Sequence, residues 1–196
     1  IRILFDSSDR SLFHRMGIQA SASIADQKQI SHERNVFPVP DGDTGTNLSL
    51  TIATAAAEAR KKPAQSIGQA AATNAAALLR GARGNSGVIL SLLFRGVSKA
   101  LKEHDTADGQ VLAAALNEGV GAAYKAVMKP AEGTILTVSR LSGAAAAEYA
   151  QEDANLEATL VCAIDAAKSA LAETVNQNPV RTTAGVWEPG GSGLVT

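Results

Sequence analysis

The sequence predicts an all-α protein, an antiparallel up-and-down helical bundle. Apolar residues recur at three- and four-residue steps along several segments, the spacing of one helical face. Aromatic residues make up only 4% of the chain while alanine is abundant, which favours helices packed closely through small side chains. Alternation of apolar and polar residues with β-branched enrichment is scarce, so strands are not expected. Short links between successive helices favour antiparallel neighbours.

The first ten residues carry no clear pattern. Residues 11–30 read as a helix, continuous or broken, with Leu12, Met16 and Ile24 among small residues. Pro38 and Pro40 force an extended segment, because proline disfavours helical geometry in the residue before it. Helix resumes near Gly45 and runs to about Lys61, with Leu48, Ile52 and Ala55 on one face. Pro63 and Ser66 punctuate it, and the next helix spans about 65–80, ending at Gly81. The clearest helix starts near Asn85 and carries Val88, Ile89, Leu92, Leu93, Val97 and Leu101 as a stripe. A turn at 105–109 offers Thr106 and Asp108 as N-caps. Val111, Leu112, Leu116, Val120, Ala123 and Val127 mark the following helix, which stops before Pro130. Helices are expected from Thr134 to about Tyr149 and from Leu156 to about Val175, the latter broken by Asn178-Pro179. The tail Gly190-Gly191-Ser192-Gly193 reads as a loop.

A length of 196 residues favours one domain with a full core, spanning 1–196. The first residue is isoleucine and the last residues stop abruptly, so this domain is expected to be the N-terminal part of a longer protein. The net charge of −1 argues against a broad nucleic-acid or membrane surface. Cys162, the single cysteine, excludes an internal disulfide and fits a reducing, cytoplasmic setting. No apolar run is long enough for an integral membrane span, and no secretory signal is visible.

Two loops carry the candidate chemistry. In Pro38-Val39-Pro40-Asp41-Gly42-Asp43-Thr44-Gly45-Thr46-Asn47, two carboxylates and two threonine hydroxyls run directly into a helix. Mg²⁺ prefers such oxygen ligands and often shares them with substrate phosphates. A calcium loop beginning at Asp41 would need glycine at its sixth position and glutamate at its twelfth, and Thr46 and Ile52 stand there. An isolated Asp-Gly-Asp reads first as a turn with a helix cap. The flanking prolines and the Gly-Thr-Asn that follows favour Asp41 and Asp43 as metal ligands, with Thr46 and Asn47 in a first helical turn that suits an anion.

The second loop, Gly81-Ala82-Arg83-Gly84-Asn85-Ser86-Gly87, lacks the lysine of a P-loop and the spacing of a dinucleotide fingerprint. Its glycines still suit a turn exposing consecutive N–H groups to an anion, with Asn85 and Ser86 at the helix start. A C-cap at Gly81 and an N-cap at Asn85 or Ser86 would explain it equally well. Thr134, after Lys129-Pro130-Ala131-Glu132-Gly133, sits at a helix restart, and Arg80, Arg83 and Arg140 more often serve helix ends or solvent. Cys162 reads as a thiol in or near the core, and His14, His32 and His104 as bystanders.

These loops, with Asn35-Val36-Phe37 before the first and Lys129-Pro130-Ala131-Glu132-Gly133-Thr134-Ile135-Leu136-Thr137-Val138 as a third, resemble the N-terminal domain of the bacterial fatty acid kinase catalytic subunit. That domain is similar to the nucleotide-binding L subunit of dihydroxyacetone kinases. The resemblance covers about residues 11–193. It implies an eight-helix antiparallel bundle of the dihydroxyacetone kinase L-subunit type, with ATP (or ADP) and two Mg²⁺ ions at one end. Asp41 and Asp43 match the metal-binding carboxylates, with Asn35 a further candidate ligand. Thr44, Gly45, Thr46, Asn47, Gly84, Asn85 and Ser86 match positions around the phosphates, and Thr134 lies near the nucleoside.

The implied reaction is transfer of the γ-phosphate to the carboxylate of a fatty acid presented by a DegV-type lipid-binding partner. The resemblance also allows a homodimer held through domains outside this sequence. Three features depart from the family pattern, the first being the opening segment from Ile1 to Arg10. Ile30-Ser31-His32-Glu33-Arg34 lacks the leucine-containing lead-in, and Glu188 stands where aspartate is usual, in the closing loop. The alternatives are a dihydroxyacetone-type kinase subunit and a nucleotide-binding regulatory module without turnover. A phosphatase is disfavoured because no nucleophile or water-activating base stands out.

Overall fold

The computed structural model describes residues 10–33, 43–61, 64–177, 182–183, 185 and 187–195. Asn35, Asp41 and the Pro38/Pro40 segment lie outside the described residues. Among the described residues there are eight named helices and no β-strand. They are α1 (Arg10–Glu33), α2 (Thr44–Lys61), α3 (Ile67–Gly81), α4 (Gly84–Leu101), α5 (Gly109–Ala126), α6 (Ile135–Glu152), α7 (Leu156–Glu173) and α8 (Pro189–Val195).

Each helix from α1 to α7 packs on its successor, as short links require. The side-chain register confirms that neighbours run antiparallel. Lys99 of α4 reaches Glu118 of α5, Asn117 of α5 reaches the Gly143 carbonyl of α6, and Gln110 reaches the Ala150 carbonyl further along. α1, α2, α6 and α7 all contact α8, which closes the two ends of the series on each other.

Small residues set the helix spacing. On α4 and α5, Gly96 and Gly119 lie against each other, and a β-carbon on Gly119 would stand 2.7 Å from the Leu93 carbonyl oxygen. The backbones therefore touch, and only glycine permits that approach. Larger side chains fill the spaces between crossings: Leu48, Ile67, Leu78, Leu101, Ile135, Leu136, Leu156 and Val138 are fully buried. Of the apolar residues expected on α1, Ile24 is buried while Met16 is 42% exposed.

The tail corrects the sequence reading. Residues 190–193, expected as a loop, belong to α8. Proline at the first helical position costs nothing, since its missing N–H would have no intrahelical partner. The Glu188 carboxylate accepts a hydrogen bond from Gly191 N and the Glu188 carbonyl accepts one from Ser192 N at 2.9 Å, which starts the helix. Burial then overrides poor propensity. A β-carbon on Gly191 would stand 2.9 Å from Val138 Cγ2, and one on Gly193 2.6 Å from Leu48 Cδ1. Leu194 packs against the cores of both halves of the bundle.

Candidate functional site

The antiparallel order places the first turns of α2, α4, α6 and α8 at one end of the bundle. An α-helix leaves its first N–H groups without intrahelical partners, and its dipole favours negative charge there.

Asp43 immediately precedes α2. Its carboxylate side is exposed, and its carbonyl accepts the first intrahelical bond from Asn47 N at 2.8 Å. Thr44 and Gly45 are buried, and Thr46 and Asn47 are half-buried. The N–H groups of Thr44, Gly45 and Thr46 precede that first bond.

The α4 start is fastened beside them. The fully buried Thr51 hydroxyl donates to the Asn47 carbonyl at 2.6 Å and accepts from Arg83 N at 3.1 Å. Gly84 has φ +58°, in the left-handed region that suits glycine, and its α-carbon faces the Asn47 side chain. The first α4 bond runs from Gly87 N to the Arg83 carbonyl at 3.1 Å, so the N–H groups of Gly84, Asn85 and Ser86 precede it. Asn85 is exposed and Ser86 half-buried.

Capping sets α4 apart. The Ser66, Asp108, Thr134 and Asn155 side chains accept N–H bonds at the starts of α3, α5, α6 and α7. Arg83 occupies the N-cap of α4 and makes no side-chain cap bond. The N-cap expected at Asn85 or Ser86 is not found, because both already lie inside the first turn. Gly81 closes α3 as its last residue, with Ala82 at the C-cap.

Thr134 lies at the same end, but its hydroxyl is committed to its own turn. It donates to the Ala131 carbonyl at 2.7 Å and accepts from Leu136 N at 3.3 Å. The link before it is braced by residues whose linkage the sequence did not reveal. Thr137 Oγ1 donates to Glu132 at 2.8 Å and accepts from Gly133 N at 2.9 Å, while Arg140 Nη2 donates to Glu132 at 2.8 Å. The Thr137 hydroxyl first, then the Arg140 guanidinium, hold the Glu132 carboxyl below the usual carboxylate range. Arg140 is thus engaged in an ion pair, and the Arg83 guanidinium donates to the Ala82 carbonyl at 3.1 Å.

Glu188 sits at the α8 start, 7% exposed. Its N–H donates to Thr174 Oγ1 at 3.1 Å, and Thr174 Oγ1 donates to the Leu171 carbonyl at 2.6 Å. A β-carbon on Gly190 would stand 3.4 Å from Ser86 Oγ, so the α8 start lies against the α4 start. The structure therefore brings Asn47, Gly84 and Ser86 together over the buried Thr51 and Glu188. The sequence reading did not single out Thr51. Its spacing of four from Asn47, matching a hydroxyl-to-carbonyl bond within a helix, was the available signal.

Helix starts of this kind suit an anion, and an acidic side chain beside them suits a hard cation. This end of the molecule offers an exposed acidic residue at Asp43 and two first turns, those of α2 and α4, whose leading N–H groups precede the first helical bond, with no side-chain cap on α4.

The eight-helix architecture is that of the dihydroxyacetone kinase L subunit. It superimposes on the dihydroxyacetone kinase of C. freundii, crystallised with AMP-PNP and Mg²⁺, with a TM-score of 0.73. That match covers 99% of this chain and 34% of the kinase chain at 20% identity, a likeness of fold. Residues 38–196 match the DAK2 domain, and the chain belongs to the DAK2 domain family. An uncharacterised protein of Staphylococcus saprophyticus is 42% identical over 186 residues, 95% of this chain and 34% of that protein. Protein YloV of Bacillus subtilis is 40% identical over 187 residues, again 95% of this chain and 34% of the relative. The chain spans about a third of the length of these relatives. No helix among the described residues is long and apolar enough to cross a membrane.

Proposed function

We propose that this chain is a single ATP-binding domain of a longer phosphotransferase, which moves the γ-phosphate to the carboxylate of a fatty acid presented by a DegV-type partner. The observation that carries the nucleotide part is the uncapped start of α4, fastened by Thr51 beside the Asp43 end of α2. Membership of the DAK2 family supports it. The fatty-acid part rests on the sequence resemblance.

In this reading Asp41 and Asp43 hold Mg²⁺, as two ions, with Asn35 as a further ligand. Bound Mg²⁺ supplies charge neutralisation on the phosphates. The first-turn N–H groups of Gly84, Asn85 and Ser86, with Thr44, Gly45, Thr46 and Asn47, hold and orient the phosphates. Thr134 borders the nucleoside. A carboxylate acceptor is already ionised near neutral pH, so no general base is needed.

The test is acyl-phosphate formation by the full-length protein with ATP, Mg²⁺ and a fatty-acid-loaded carrier. Carrier-dependent product, absent in Asp41→Ala and Asp43→Ala, is expected. Absence of product with the wild type contradicts the fatty-acid assignment. Turnover with dihydroxyacetone and a substrate-binding subunit would replace it with the hydroxy-ketone reading. Tight nucleotide binding without any turnover would indicate a regulatory module.

A further inference from the structure

A concave feature lies outside the candidate nucleotide site, along α4 and α5. It is a groove of about 560 Å³, with Leu92, Gly96, Gly121, Ala122 and Ala126 contributing small or apolar lining. Arg95, Lys99 and Lys125 supply cationic side chains, and Glu118 is its one acidic residue. Lys99 donates to Glu118 at 2.7 Å, so this pair is internally neutralised. Beside Lys99, Lys125 also lies near enough to Glu118 to help hold its carboxyl below the usual range, and neither it nor Arg95 makes a direct salt bridge among the described residues, so one carboxylate faces three cations. Two cations therefore face the groove in excess, on a chain whose net charge is −1.

Gly121 gives an independent observation. Glycine inside a helix costs about 1 kcal/mol relative to alanine. At Gly96 and Gly119 the α4–α5 crossing explains that cost, because a β-carbon would meet the facing backbone. At Gly121 a β-carbon would meet nothing within 4 Å. Packing within the chain does not require this glycine, yet it lies in the groove and keeps it deep.

The groove is also placed for a partner. From Leu92 to Lys99 it follows α4 for about 10 Å, roughly two helical turns. On α4, Val88 continues the Leu92–Arg95–Lys99 stripe toward the candidate site and is 46% exposed. On α5, Lys125 and Ala126 run into the link that carries Met128, 98% exposed. Cations beside an apolar trough open along its length suit an acidic amphipathic segment, whose apolar side chains enter and whose carboxylates meet Arg95 and Lys125.

We propose that the α4–α5 groove docks an acidic amphipathic segment of a protein partner, and that this partner is the one presenting the phosphoryl acceptor. The second clause rests on the kinase reading above; the first does not. Docking here would set the partner alongside the end of the bundle where Asp43 and Asn85 lie.

The test uses the full-length protein and a fluorescein-labelled peptide of two to three helical turns, leucine on one face and glutamate on the other. Fluorescence anisotropy should show saturable binding that weakens as salt rises from about 50 mM to about 300 mM, because the contact is partly electrostatic. Arg95→Glu combined with Lys125→Glu should weaken binding at least about tenfold. Gly121→Leu should do the same by filling the trough. Its thermal midpoint should not fall, which separates blocking from misfolding. ATP affinity should be unchanged in both variants.

Equal peptide binding by wild type and variants would overturn the proposal. So would equal binding of a peptide with glutamine in place of glutamate, or displacement by inorganic tripolyphosphate at matched charge, which would mark a small-anion site. In the carrier assay the same variants should raise KM for the carrier and leave kcat unchanged. A wild type without carrier turnover would sink the kinase reading while the peptide result still decides the groove.

Discussion

Thr51 shows how one buried hydroxyl can fix a site. Its Oγ1 is both donor to the Asn47 carbonyl and acceptor from Arg83 N, so it ties the first turn of α2 to the entry of α4. Thr51→Val keeps the shape and leaves Arg83 N without this partner. Loss of a buried hydrogen-bond partner costs about 1–3 kcal/mol, and thermal unfolding should report a drop of that size. Glu188 has the corresponding task at α8, where its carboxylate accepts from Gly191 N at a buried position. Glu188→Ala should cost about 1–2 kcal/mol, as for other lost caps, and chemical denaturation checks it. Glu188 stands where aspartate was expected, and the geometry shows what this longer carboxylate does: it starts a helix.

At the scale of elements, the link from α5 to α6 holds a testable pH dependence. Thr137 and Arg140 lower the Glu132 carboxyl below its unfolded value. The carboxylate form is therefore bound more favourably in the folded state. Its stabilisation is fully present above the unfolded value of about pH 4.3 and is lost as pH falls through the lower folded value. Glu132 is largely exposed, so the effect is small and screened by salt. The stability difference between wild type and Glu132→Gln, measured by urea unfolding, should be constant near neutrality and shrink below about pH 4. A difference that grows on acidification would contradict this assignment.

The long helices were legible because their stripes are regular. Leu93, Val97 and Leu101 of α4 are buried as their spacing predicted, Ile89 and Leu92 are half-buried, and Val88 of the same stripe is 46% exposed because it lies on the outer side of the helix near its start. The eighth helix was not legible, because Pro-Gly-Gly-Ser-Gly has the local signature of a loop. It is helical because burial against Val138, Leu171 and Leu48 admits only small residues, information held in distant segments. The two candidate loops were visible as glycine and hydroxyl clusters. Their junction through Thr51 was not, since Thr51 and Arg83 are 32 residues apart and their bond exists only after α2 and α4 pack. Gly96 belongs to the same class of hidden constraint. Gly96→Val should push α4 from α5 and cost about 1–3 kcal/mol, read from the thermal midpoint.

For the whole molecule, alternation of helix direction is what makes a site. Up-and-down order brings the starts of α2, α4, α6 and α8 to one end without any long connection having to cross the bundle. Side chains cap α3, α5, α6 and α7, while α4 meets that end uncapped. An uncapped, positively polarised helix start beside Asp43 is the central feature, and in the proposed function it holds the phosphates of a Mg²⁺-bound nucleotide. The most direct test is ATP affinity of the full-length protein, measured by calorimetry with Mg²⁺ and with chelator, for wild type and Asp43→Ala. Mg²⁺-dependent binding that weakens by about 100-fold in the variant, equivalent to about 2.7 kcal/mol, is expected. Equal affinity in the two proteins, or wild-type binding indifferent to Mg²⁺, would contradict that role.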